Sequence, residues 1–172
     1  MISKFSLALP VFMAFTVGAT AQEAQFLKGT VINDWEVSKL ETPRDGLSCQ
    51  ALKCTKRPCN ADTSQATLRL WGSKRRQAVT PMMGMQRTTS GARRAKLTIA
   101  NSSFPLEQSQ KSRGKLFIAK DAADDIEIIR LMIANPKGTV DFSSSKGGVK
   151  FPLTGIEDVL AFFQRECSIP RP

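Results

Sequence analysis

The amino-acid sequence predicts a mainly β domain, an antiparallel sheet or β-sandwich, with two α-helices near 122–134 and 155–166. Short apolar–polar alternations recur between turn-rich stretches over most of the chain, as in antiparallel β proteins. Helical periodicity is confined to two later segments, each with its own start or stop residues. Four cysteines follow an export signal, which suits a domain stapled by disulfides.

Residues 1–21 have the pattern of a secretory signal peptide. Lys4 is the basic head, Phe5 to Val17 the apolar stretch, and Ala19-Thr20-Ala21 the small-x-small cleavage site. The apolar run is shorter than the roughly 20 residues of a spanning helix and contains Pro10. Cleavage leaves residues 22–172 as a single β-rich domain, periplasmic or secreted and without a transmembrane anchor.

The alternation predicts a strand over Val31–Val37, with Val31, Trp35 and Val37 on one side. Pro43-Arg44-Asp45-Gly46 supplies a tight turn, and Leu47 to Leu52 the return strand. Ala66 to Trp71 is the next strand, with Arg69 facing out and Gly72 at its end. Arg76–Thr80, Ala95–Ala100 and Lys115–Ala119 are shorter candidates. Trp35 and Trp71 are expected in the core. Pro81-Met82-Met83-Gly84-Met85 is expected as loop or core filling, or as an adaptable apolar contact surface.

In the first helix Asp121 or Asp124 is the capping candidate. Ile126, Ile129, Met132 and Ile133 share a side, and Asn135-Pro136-Lys137-Gly138 ends it. Thr154-x-x-Glu157 matches a capping box for the second, whose Ile156, Val159, Leu160 and Phe163 repeat at helical spacing. Gly138–Phe142 and Val149–Leu153 form a predicted hairpin between the helices.

Cys49, Cys54 and Cys59 form a C-x4-C-x4-C cluster, with Cys167 far downstream. Zinc held by all four thiolates is the competing arrangement. Structural zinc favours tighter C-x2-C pairs, and free thiolates do not persist in an oxidising compartment, so two disulfides are expected. Four cysteines allow three pairings, among which sequence does not choose. The preferred set is Cys54–Cys59, closing a short turn, with Cys49–Cys167 tying the ends of the domain.

The chain has 172 residues, 25 Lys+Arg against 15 Asp+Glu, and no histidine. No Ser-His-Asp or Cys-His pair, HExxH zinc site or imidazole switch can be built. Residues 50–115 hold fourteen basic side chains against Asp62 and Glu107, so the +10 of the whole chain is concentrated there. The candidate anion-binding face comprises Lys53, Lys56, Arg57, Lys74, Arg75, Arg76, Arg93, Arg94 and Lys96. It suits lipopolysaccharide, phospholipid or acidic glycan, or a protein partner. The competing reading is a solvated surface that maintains solubility. Nucleic acid is disfavoured, since no tyrosine is present and both tryptophans are assigned to the core.

Asp121, Asp124, Asp125 and Glu127 cluster carboxylates, as a hydrolase requires, but they also suit the positive end of a helix dipole. Their spacing lacks the glycine of a calcium loop. Ser143-Ser144-Ser145-Lys146 matches S-x-x-K only superficially. Asn101-Ser102-Ser103 is a glycosylation sequon. No cofactor is expected, and the predicted function is non-enzymatic.

Asp34-Trp35-Glu36-Val37, Ser48-Cys49-Gln50-Ala51-Leu52 and Phe151-Pro152-Leu153-Thr154-Gly155-Ile156 through Cys167 together resemble the invasion-associated locus B family. The likeness covers Val31 to Cys167 in order and spacing. It implies a small exported β-rich protein of the α-proteobacterial envelope, without known catalysis and linked in some members to host-cell colonisation. In that family a cysteine commonly follows the D-W-x-V strand and pairs with the one in C-Q-x-L. Here Ser38 and Lys39 occupy that stretch. An inhibitor or neutraliser of a hydrolase or toxin is the alternative function.

Overall fold

The computed structural model describes residues 24–56, 58–59, 66–85, 94–109, 116–145 and 147–172. The signal segment 1–21 lies outside the described residues, as do Arg57, Arg87, Arg93, Lys111, Arg113, Lys115 and Lys146. The expected architecture is present: an antiparallel sheet with two helices. Ten strands are described: β1 Gln25–Ile32, β2 Trp35–Thr42, β3 Gly46–Cys54, β4 Ala66–Ser73, β5 Ala78–Met85, β6 Arg94–Ile99, β7 Ser102–Gln108, β8 Leu116–Ala119, β9 Thr139–Ser144 and β10 Gly147–Pro152. They form one sheet, in the order β1-β2-β3-β4-β5-β8-β7-β6-β9-β10. Helix α1 is Ala122–Ala134 and α2 is Ile156–Cys167.

The sheet curls strongly. Phe117 of β8 and Phe142 of β9 have ring centroids 5.5 Å apart, although β7 and β6 stand between their strands. On a flat sheet three strand spacings would separate them by roughly 14 Å. The concave side is lined by Trp35 and Val37 of β2, Cys49 and Ala51 of β3, Leu68 and Leu70 of β4, and Met83 of β5, all buried. Helix α2 packs there against β2, β3 and β4, burying Val159, Leu160, Phe162 and Phe163. At Gly72 an added Cβ would lie 2.5 Å from Ile169 Cδ1 and 2.9 Å from Phe163 Cδ2, so glycine admits the helix and tail to the strand. Helix α1 packs against β5, β6 and β8 and touches α2.

Both disulfides form in the preferred pairing, Cys49–Cys167 and Cys54–Cys59, and no described cysteine is free. Two disulfides indicate folding in an oxidising, extracytoplasmic compartment.

Several elements depart from expectation. The segment 31–37 is a hairpin, because Asn33 (φ 44°) and Asp34 (φ 70°) form a two-residue left-handed turn between β1 and β2. Trp35 is fully buried, but Trp71 is only half-buried, because it lies on the convex side, opposite Leu70 and Gly72. The methionine segment fills core, one of the expected alternatives, but as a strand and not a loop: β5 runs through Pro81 and Met83 is fully buried. Pro81 lies just outside the Met82–Gly84 stretch that pairs with β8, where a missing N–H is tolerated. The capping box does not form. Gly155, at φ 85°, is the N-cap of α2. A Cβ there would lie 2.5 Å from Asn33 Cβ, so glycine is required by both conformation and space.

Candidate functional site

Two adjoining turns gather the clearest group of exposed cations. The β2–β3 turn carries Arg44 and Asp45, shaped by Thr42, whose hydroxyl oxygen accepts from Asp45 N–H at 3.1 Å. The β4–β5 turn carries Lys74, Arg75 and Arg76. Its backbone is held by Ser73, whose carbonyl accepts from Arg76 N–H (3.2 Å) and Gln77 N–H (3.0 Å). Gln77 closes it in a left-handed conformation. Three contacts join the turns. Lys74 N–H donates to Leu47 O at 2.9 Å, Arg75 Nη1 donates to Arg44 O at 3.0 Å, and Arg76 Nε lies 3.5 Å from Asp45 Oδ1. The result is a rigid tip where Arg44, Lys74, Arg75 and Arg76 face water around a single carboxylate, Asp45.

The other members of the sequence-predicted face lie elsewhere. Lys56 is exposed beyond β3, and Arg94 and Lys96 are exposed on β6. Along the paired strands (Gly84 with Leu116, Gln108 with Phe117, Glu107 with Arg94) Arg94 falls at the opposite strand end from the β4–β5 turn. Its cross-strand neighbour is the acid Glu107. Lys53 leaves the face altogether. It is 4% exposed, its Nζ lies 5.1 Å from the Trp35 ring centroid, and it donates to Thr154 O at 3.2 Å and Asn33 O at 3.5 Å. Burial pushes its pKa below that of an ordinary lysine, with Asp34 opposing the shift. Trp35 Nε1 donates to the same Thr154 carbonyl at 3.0 Å, so lysine and tryptophan together clasp the loop after β10 to the β1–β2 hairpin. Arg69 lies on the convex side of β4, but its Nε is buried with no hydrogen-bond partner among the described residues. Desolvation lowers its pKa. It faces out of the core as strand alternation predicts, but is half-buried there.

Sequence reasoning missed Arg44 as a member of the tip. The signal was present in Pro43-Arg44-Asp45-Gly46, but nothing local reveals that this turn abuts another twenty-nine residues later.

A second feature is a groove of about 620 Å³ on the convex side of β1–β3. Phe26, Val31, Leu52, Pro58 and the Cys59 disulfide line it, over polar groups of Glu36, Ser38 and Gln50. Glu36 Oε1 accepts from Cys59 N–H at 2.8 Å, which fixes the short disulfide loop against β2.

The carboxylates of α1 behave as a helix start. Asp121 is the N-cap residue, with Asp124 and Asp125 in the first turn, while Glu127 is exposed and lies 4.0 Å from Arg130. Asp125 is pushed up to about 6, first by burial, while a hydrogen bond from Thr80 opposes and Asp124 adds to the rise. The Ser143–Ser145 stretch runs along β9 into the β9–β10 turn, and Asn101 is exposed in the β6–β7 turn.

Comparison of the chain with protein-family models, with curated proteins and with solved structures gives no match.

Proposed function

We propose that this is an exported, non-enzymatic binding protein of the bacterial envelope, periplasmic or secreted, that holds an anionic envelope or host surface at the paired β2–β3 and β4–β5 turns. The observation that carries this reading is the locking of the two turns. Backbone and side-chain contacts tie them together, so four cations share one tip, where Asp45 pairs with Arg76 alone. Cations placed on a rigid tip lose little entropy on meeting an array of phosphates or carboxylates, and each basic group near such a surface contributes about 1 kcal/mol. Two disulfides agree with export. The resemblance to the invasion-associated locus B family points to the same setting. A chain without histidine, whose cysteines are paired, is better equipped to bind than to react.

Vesicles with and without anionic phospholipid, and lipopolysaccharide micelles, test this reading. The mature chain binds the anionic surfaces at low ionic strength and releases them as salt rises. Replacing Lys74, Arg75 and Arg76 together by alanine weakens binding about a hundredfold, from roughly 3 kcal/mol of lost attraction. Undiminished binding by that variant would overturn the assignment.

The groove supports a second reading, an inhibitor or neutraliser of another protein. Its apolar rim and polar floor suit a protein loop better than a phosphate surface. Isolation of a one-to-one complex from periplasm that Leu52→Glu abolishes would favour it.

A further inference from the structure

Arg69 is a cation held partly out of water with nothing to balance it. Its Nε is buried and makes no hydrogen bond among the described residues, and the residue as a whole is half-buried. The strand pairings show what surrounds it on the convex side. Leu52 and Met82 stand directly opposite, Thr67 and Trp71 flank it along β4, and no diagonal position on β3 or β5 is charged. Glu36, two strands away in the same cross-strand row, accepts from Cys59 N–H, and Asp125 is hydrogen-bonded to Thr80. No charged group among the described residues opposes the desolvation of Arg69. Such a charge is costly to leave unpaired, and buried polar groups without partners are rare in folded proteins. Nothing beneath the guanidinium compensates it, so the compensating charge comes from outside.

The same row leads into the groove. Across the sheet it reads Met82, Arg69, Leu52, Glu36, Val31. Leu52 and Val31 line the groove together with Phe26, whose ring lies over Gly29. Phe26 and Val31 are 63% and 51% exposed, apolar surface whose contact with water is unfavourable. A groove of about 620 Å³ is within the size range of small-molecule sites, and Arg69 stands one strand beyond its Leu52 wall.

We propose that the groove and Arg69 together bind a single-chain carboxylate of the fatty-acid class. Its carboxylate sits on the Arg69 guanidinium, and its acyl chain runs over Leu52 toward Phe26 and Val31. The planar fork of an arginine matches a carboxylate through two parallel N–H···O bonds. One cation in an uncharged surround balances one negative charge, whereas a phosphate, closer to two, would leave part of its charge unmet. Glu36 is two strand spacings from the head group, roughly 10 Å, so its repulsion of the carboxylate is weak. The site is independent of the basic turns.

Calorimetric titration of the mature chain with decanoate reads the outcome, with 1-decanol as an uncharged chain of equal length. Decanoate binds one-to-one and about thirtyfold more tightly than decanol, through its charge-assisted hydrogen bonds. The preference survives about 0.5 M salt, because a partly buried pair is screened little. Arg69→Gln binds the two ligands alike and has a thermal midpoint no lower than wild type, since it removes an uncompensated charge. A structural arginine would instead lower the midpoint. Met82→Glu sets a carboxylate directly opposite Arg69 without touching the groove, and so raises the midpoint and abolishes the preference.

No binding of decanoate below about 1 mM overturns the proposal, as does equal affinity of the wild type for decanoate and decanol. So does an Arg69→Gln chain that keeps the preference or unfolds at a lower temperature. Attachment at the basic turns is lost with salt and does not involve Arg69, so failure of either proposal is distinguishable from failure of the other.

Discussion

Lys53 and the Lys74–Arg76 turn belong to the same basic stretch of sequence and meet opposite fates in the fold. Lys53 is withdrawn from water beneath the β1–β2 turn, where two backbone carbonyls and the Trp35 ring take the place of its hydration shell. The Lys74–Arg76 side chains stay in water, and only their backbone and one guanidinium are tied down. The first cation closes the curled sheet, joining the loop after β10 to the opening hairpin. The second group leaves its charge for something else. A surplus of basic residues is therefore not a binding face by itself; burial and partner choice divide it into structural and available charge.

The largest expected effect lies on the structural side. Cys49–Cys167 spans 118 residues and ties the last residue of α2 to β3, at the other end of that helix from the clasp at Thr154. Replacing both cysteines by alanine costs about 5 kcal/mol on chain-entropy grounds, against about 2 kcal/mol for the Cys54–Cys59 pair. Urea midpoints of the two double variants measure the difference. If the short loop proves the costlier one to open, loop length is not what sets the contribution of the two bonds.

Lys53→Ala comes next, at about 2–3 kcal/mol, because it removes a buried ammonium with its hydrogen bonds and leaves a void beside Trp35. Trp35 keeps its bond to Thr154, so the loop loosens without being released. Thermal unfolding should show the loss. Lys74→Ala, in the same assay, moves stability by under about 0.5 kcal/mol.

How much of this was legible in the sequence depends on how local each feature is. The helix at 122–134 and most of the strands depend on neighbours a few residues away and form where expected, although the buried side of that helix is Ile128, Ile129 and Met132, and Ile126, expected with Ile129 and Met132, is exposed. The β1–β2 turn did not announce itself, because Asn33-Asp34 lacks the glycine that usually marks a left-handed pair. Thr154 looked like a helix cap, yet it is its carbonyl that matters, as acceptor for Trp35 and Lys53. Lys53 looked available because it is a lysine, although it shares the side of β3 taken by Cys49 and Ala51; Arg69 takes the outward side that periodicity gives it and is half-buried there. The basic tip was half legible: its three consecutive cations were evident, but Arg44 joined them only through long-range packing.

Asp125 lies between the two regimes, buried without the full set of partners that Lys53 enjoys. One carboxylate oxygen has no hydrogen bond among the described residues, and the group is pushed up from 3.8 to about 6. Its folded pKa lies above its unfolded value, so the folded state binds the extra proton. This contribution is therefore fully present below about pH 3.8 and is lost as pH rises through 6. The full linkage would be roughly 3 kcal/mol, and screening of the exposed part of the group reduces it to about 1 kcal/mol. Asp125→Asn should remove that slope and raise stability at neutral pH. A variant whose denaturation midpoint still falls between pH 4 and pH 6.5 as steeply as wild type would assign the slope to another group.

The smallest effect on stability belongs to the tip, and there a second readout matters more. Arg76 and Asp45 are 3.5 Å apart, with the arginine side chain half exposed, a geometry worth under about 0.5 kcal/mol. Asp45→Asn should hardly move the unfolding midpoint. It removes the one carboxylate among four cations, however, so affinity for an anionic surface should rise about fivefold, from roughly 1 kcal/mol of relieved repulsion. Lys53→Ala should do the reverse, lowering stability and leaving that affinity unchanged when measured well below the unfolding midpoint. If both substitutions alter binding alike, the division between structural and available cations fails. If only Asp45→Asn does, charge at the tip, and not the net charge of the chain, governs attachment.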